Sequence, residues 1–248
     1  EGYTIEQIAK MIAKLKKNKL SSEAFLKKIQ DDNFITQEAT KYPKLLESLA
    51  KKESGVKYRL EGYLFPATYN VTDSTTAETL IDQMLAAMDK TMSRYYDVLA
   101  TKNLTVHDVL TIASLVEKEG STDQDRKNIA SVFYNRLNQN MPLQSNIAIL
   151  YAQGKLGQKT TLSEDAAIDT NIDSPYNIYK NTGLMPGPVD NPSLSAIEAT
   201  VNPVKTDYLY FVANTETGKV YFATTYAEHE KNVQEHVNSK LTKPSSSN

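Results

Sequence analysis

TVHDVLTIASLVEKEG, residues 105–120, is the stretch on which the reading of the whole chain turns. Val106, Val109, Leu110, Ala113 and Val116 recur at helical spacing behind a threonine suited to cap the first turn, so the stretch predicts a helix ending at Gly120. Glu117 and Glu119 flank that apolar stripe on opposite sides, about 200° apart around the helix. Carboxylates at a helix C-terminus face the negative end of the backbone dipole, which costs roughly 0.3–1 kcal/mol each. Helix stability therefore does not account for both acids. Pattern alone leaves open whether they are two solvated charges beside Lys118 or whether one of them does chemistry, and helical geometry does not choose between them.

Working outward, helical runs cover residues 75–100 and 123–139, each with a Thr or Asp near its start, and with residues 105–119 they make the helical centre of a larger domain. Toward the N-terminus, Ile5, Ile8, Ile12 and Leu15 predict a helix from Thr4 to about Lys17, and SSEAFLKKI a second short one, so residues 1–60 make a small module. GVKYRLEGYLFPATYNV, residues 55–71, mixes aromatics with Gly and Pro and reads as strand plus turn. Residues 140–192 read as irregular and hold most of the prolines, as functional loops often do. DYLYFVA and KVYFATT around NTETG predict a β-hairpin over 207–224, and YAEHEKNVQEHV a closing helix. The fold class expected is α+β, with residues 244–248 a disordered tail.

Composition removes several function classes. Lys+Arg 28 against Asp+Glu 30 leaves a net charge of −2, without the basic field of a nucleic-acid binder. The absence of cysteine excludes disulfides, Cys-ligated zinc and a cysteine nucleophile, and is compatible with work outside the reducing cytoplasm. His229 lacks a second histidine four residues on, where Val233 stands, so no zinc-protease face forms; His107, His229 and His236 read as solvated surface residues rather than ligands. No nucleotide fingerprint, P-loop or G-x-S-x-G elbow is present, and no cofactor or metal is expected. The longest apolar run, 109–116, is far short of the roughly 20 residues that cross a bilayer. The chain opens without an initiator Met, so this says nothing of what precedes it. What remains is carboxylate chemistry, fifteen tyrosines and an amide-rich loop, side chains suited to sugars but equally ordinary as amphipathic core.

The combination EGYLFPATY, IASLVEKEG, IASVFYNRL, MPLQS, SPYNIY, GLMPGPVDNPS and YLYFVAN resembles the endolytic murein transglycosylases of the MltG/YceG-like family, over nearly the whole chain. The resemblance implies a LysM-like module over 1–60, then a lysozyme-like, mostly helical catalytic domain over 61–243 that cleaves the MurNAc–GlcNAc β-1,4 bond within peptidoglycan strands and leaves 1,6-anhydroMurNAc ends. It also implies a single N-terminal membrane anchor upstream of Glu1, a catalytic part outside the cytoplasm, and cell-wall synthases as partners. The family's acid, a helix-terminal Glu followed by Ser, Thr or Gly, matches Glu119 before Gly120, with Glu117 a neighbour and secondary candidate. Gln144, Ser145, Asn177 and Tyr179 would wall the glycan groove, and Tyr63 would reach the same cleft. For Tyr134, Asn135 and Arg136, helix packing and capping is an equal alternative. One departure is Asn146, where the resemblance leads one to expect an acid after the Gln-Ser pair.

Two rival readings stand beside it. A hydrolytic muramidase would pair Glu119 with Asp123, Asp125 or Asp173, since ordinary glycosidases use two carboxylates. A non-catalytic peptidoglycan-binding or scaffold protein would bind glycan without making new ends.

Overall fold

Hydroxyl and carboxylate side chains start most of the helices: Thr4, Ser21, Asp31, Thr76, Thr105, Thr122, Ser145, Ser193 and Thr225 each accept a hydrogen bond from the first turn that follows. The computed structural model describes residues 1–17, 19–158, 167–214 and 216–237. In order these form α1 (Ile5–Lys14), α2 (Ser22–Ile29), α3 (Asp32–Lys41), α4 (Pro43–Leu46), α5 (Ala77–Met92), α6 (Tyr96–Lys102), α7 (Val106–Glu119), α8 (Asp123–Asn138), α9 (Asn146–Ala152), α10 (Leu194–Val201), β1 (Tyr210–Ala213), β2 (Val220–Ala223) and α11 (Tyr226–His236). The class is α+β: helices with one two-stranded antiparallel sheet.

The helix predicted over 105–119 forms, opened by a reciprocal cap in which the Thr105 hydroxyl accepts from the Asp108 N–H and the Asp108 carboxylate accepts from the Thr105 N–H, both at 3.0 Å. It is not amphipathic in place. Every residue from Val109 to Val116 is buried, Thr111 and Ser114 included, because α8, α9 and α10 all pack against it. Ser114 is accommodated by giving its proton to the Thr111 carbonyl at 2.8 Å and accepting from the Val189 N–H at 3.0 Å.

Elsewhere the structure departs from the sequence reading in identifiable ways. The run 75–100 breaks into α5 and α6, and α3, α4 and α9 occupy stretches where no helix was expected. Residues 55–71 contain no strand: turn bonds such as Tyr63 N–H to Leu60 O, and tertiary bonds from Leu64 N–H to the Asn191 amide oxygen and Phe65 N–H to Met84 O, take the groups a ladder would have used. The hairpin forms as expected, with Tyr210 opposite Ala223 and Ala213 opposite Val220, and packs against α8 and α11. Its turn is held by the Asn214 side-chain oxygen, which accepts from the Glu216 and Thr217 N–H groups at 3.0 Å each.

Over its described residues the segment to residue 60 is helices α1–α4, a 3₁₀ turn at Lys52–Ser54 and one bridge of Tyr3 to Asn191, without a strand of its own. Its apolar residues Ile5, Phe25 and Leu45 share one core with Leu85, Leu110 and Val116. The tail at 244–248 lies outside the described residues. Among the described residues no helix is long and apolar enough to cross a membrane.

Candidate active site

Glu117, Lys118 and Glu119 leave the end of α7 in three directions, and none of them is a solvated surface charge. Glu117 Oε2 accepts from the N–H and hydroxyl of Ser193 at 3.0 and 2.5 Å, and its other oxygen lies 4.0 Å from the Arg126 guanidinium. Ser193 is itself the N-cap of α10, so this carboxylate sits at the positive end of that helix and completes its cap. Lys118 reaches to 3.9 Å from Asp190, which is fully buried and has no hydrogen-bond partner on either carboxyl oxygen among the described residues. Burial pushes Asp190 well above the usual carboxylate range, with Lys118 pulling the other way.

Glu119 keeps part of its surface open and has a different partner, the Ser145 hydroxyl, which donates to its Oε1 at 2.7 Å. Desolvation raises its pKa and the bond from Ser145 offsets part of that rise; neither cause is a second carboxylate. Gly120 then turns the chain sharply into α8. A Cβ there would meet Arg126 Cγ at 2.6 Å and the Arg126 backbone at 3.1 Å, so the close approach of the two helices requires glycine. The hairpin closes over the same corner, with the Ser121 hydroxyl donating to the Gly218 carbonyl at 3.2 Å.

The expected loop residues separate into two groups. Ser145 is on Glu119 and caps α9. Asn146, where an acid was expected, accepts from the Tyr179 hydroxyl at 2.7 Å, and that hydroxyl is pushed up to about 12 by burial first and the nearby Glu119 charge second. Gln144 takes a left-handed backbone, φ 56°, donates its N–H to Ile178 O and offers its amide oxygen to Arg136 at 3.0 Å. These four form one patch with Glu119. Asn177 does not join it: it is 1% exposed, and its amide is spent on the Thr170 and Ile172 carbonyls and the Tyr179 N–H, which shapes the loop. Tyr63 is likewise core, fully buried, with its hydroxyl 2.9 Å from His107 Nδ1.

His107 is therefore not a solvated surface residue; its other nitrogen lies 2.8 Å from the Pro186 carbonyl. His229 and His236 stack on Tyr210 and Tyr221. Among the described residues no group of His, Asp and Glu is placed to hold a metal ion. Asp125 accepts from the Thr122 hydroxyl and Asp123 from the Ser195 hydroxyl, both at the start of α8, while Asp173 is exposed.

The YceG-like family's sequence model matches residues 1–235. This chain belongs to the YceG-like family. It is 66% identical over 244 residues to an endolytic murein transglycosylase of Streptococcus pneumoniae strain D39, an alignment spanning 97% of this chain and 44% of that protein. It is 41% identical to an endolytic murein transglycosylase of Bacillus subtilis strain 168, over 98% of this chain and 65% of that protein. A crystal structure of a YceG-like protein from Listeria monocytogenes superposes with a TM-score of 0.81 at 43% identity, covering 93% of this chain and 73% of that one. This YceG-like chain thus spans under half the length of the pneumococcal relative.

Of two buried charged residues in this YceG-like chain, the sequence did not single out Glu61 and left the role of Arg136 open. Glu61, inside EGYLFPATY, is 1% exposed; its carboxyl accepts from the Ile5 N–H, the Asn191 amide and the Tyr151 hydroxyl. Arg136, for which packing and substrate contact looked equally plausible, is 6% exposed and bonds three separate backbone carbonyls. A charge inside an apolar motif was the signal available for Glu61; nothing in the periodicity names its partners.

Proposed function

We propose that this chain is the catalytic part of an endolytic lytic transglycosylase that cleaves the MurNAc–GlcNAc β-1,4 bond of peptidoglycan strands. The observation that carries the reading is Glu119, a desolvated, partly open glutamate whose one hydroxyl partner leaves it free to exchange a proton. In the reaction Glu119 protonates the glycosidic oxygen as the C1–O bond breaks. The 6-hydroxyl of the same muramoyl residue attacks C1, giving its proton back to Glu119 and forming the 1,6-anhydro ring. An internal nucleophile has an effective molarity on the order of 10⁵ M or more in well-oriented cases, so a second carboxylate to activate water is not needed. The acid must hold a proton to donate it, and burial shifts Glu119 in that direction, against the opposing bond from Ser145.

Ser145 orients the carboxyl group, and Tyr179, Asn146 and Gln144 supply the polar wall for the sugar. The names of the pneumococcal and Bacillus relatives support the substrate class. As parts of the same reading, residues 1–60 are a LysM-like module and 61–243 a lysozyme-like domain, supported by the packed pair α1–α2 and by the helix that ends in the acid. Further parts of the same proposal, implied by the resemblance, are work outside the cytoplasm, where peptidoglycan lies, a membrane anchor upstream of Glu1 and cell-wall synthases as partners.

Mass spectrometry of uncrosslinked glycan strands after digestion tests the reading. Products one water lighter than reducing-end fragments are expected. Reducing ends alone would make the protein a muramidase, and binding without new ends would make it a scaffold.

A further inference from the structure

We propose that Arg136 is a positioning residue: it ties the loop 142–144 to strand β1 and thereby holds the Ser145 hydroxyl on Glu119. The proposal rests on the reading of Glu119 as the acid. From the buried face of α8, Arg136 Nε donates to the Leu209 carbonyl, next to β1, at 2.6 Å. Its Nη1 donates to the Pro142 carbonyl at 2.7 Å, the Gln144 amide oxygen at 3.0 Å and, more weakly, the Leu143 carbonyl at 3.4 Å. The guanidinium lies 5.1 Å from the centre of the Tyr210 ring, and among the described residues no carboxylate pairs with it.

A buried cation without a counter-ion is costly, and plain packing would be served by a neutral side chain. What a guanidinium adds is a rigid fork of five donors, able to hold a loop and a strand at once, which a lysine's single ammonium cannot do. The chain held this way has little freedom left. Gln144 stands in the left-handed region, its N–H on Ile178 O, and the next residue is Ser145, whose oxygen both caps α9 and bonds Glu119. Two adjacent residues thus separate the Arg136 fork from the acid, and a shift of the loop moves the hydroxyl.

The test is a double-mutant cycle on the rate of anhydro-end formation, using Arg136→Gln, Arg136→Lys and Ser145→Ala, with Glu119→Gln as reference. Arg136→Gln should lower kcat by roughly 10- to 100-fold with KM little changed, as for a misplaced catalytic group. Arg136→Lys should fall within a few-fold of it, and in the Ser145→Ala background the Arg136 change should add less than about threefold. Multiplying effects, or full activity in Arg136→Lys, would overturn the proposal. If Arg136→Gln does not fold, Gln144→Asn replaces it in the cycle, since Asn tolerates the left-handed backbone and withdraws the amide oxygen; the same non-additivity is expected and additivity overturns the proposal. Undiminished activity in Glu119→Gln would instead remove the acid assignment itself, an outcome distinct from either.

Discussion

Glu61 and Glu119 are both glutamates withdrawn from water, yet their surroundings use the carboxyl group in opposite ways. Glu61 is sealed, and the Ile5 N–H, the Asn191 amide and the Tyr151 hydroxyl occupy its oxygens, so that α1, α9 and the loop before α10 meet on one side chain. Glu119 is also desolvated but keeps an opening and a single hydroxyl donor. Burial raises both pKa values. A raised pKa by itself therefore does not distinguish the proposed acid from Glu61; unspent hydrogen-bonding capacity together with access does.

The sharpest way to break this comparison is to remove the proton donor from each. Glu119→Gln should reduce anhydro-end formation by about 10²–10⁴-fold while its thermal melt stays close to the parent's. If Glu61→Gln lost as much activity with its fold intact, the distinction between the two would collapse.

Stability should respond in the reverse order. Glu61→Leu leaves three buried donors without an acceptor, and at roughly 1–3 kcal/mol for each unsatisfied group the loss in a denaturant titration should be on the order of 3 kcal/mol or more. Glu119→Leu should cost far less, since one serine hydroxyl with a second role as helix cap is all it abandons.

The pH dependence of stability sharpens the same contrast. Glu61 is pushed from 4.5 up to about 8 by burial, so the folded protein holds this proton more tightly than the unfolded chain does. The stability this contributes is complete below about 4.5 and is lost as pH rises through about 8. Melting temperatures taken across that window should fall with pH, and Glu61→Gln should flatten the slope. An unchanged slope would mean that Glu61 does not titrate there. For Glu119, whose pKa is raised, the sign in catalysis is the same: turnover falls as pH rises and the acid is lost.

The smallest effect is expected at Glu117. Glu117→Gln removes a charged cap from α10, worth about 0.5–2 kcal/mol in a melt, and should change the rate only a few-fold, because its carboxylate is engaged with Ser193 and not with the patch around Ser145. A larger catalytic loss here than at Glu119 would move the acid to the other side of the helix.

By itself the sequence determined the helix that ends in Glu119, the hairpin of 210–223 and the helix after it, because caps, turn residues and apolar spacing act within a few positions of one another. It also determined that two acids stand where a helix does not favour them. The tertiary structure alone decided their use. Ser145 lies 26 residues from Glu119, Ser193 lies 76 from Glu117, and Asn191 lies 130 from Glu61, separations across which no periodicity carries information. For the same reason residues 55–71, strand-like in composition, form no strand: a ladder needs a partner in space, and here Asn191 and Met84 took its hydrogen bonds instead.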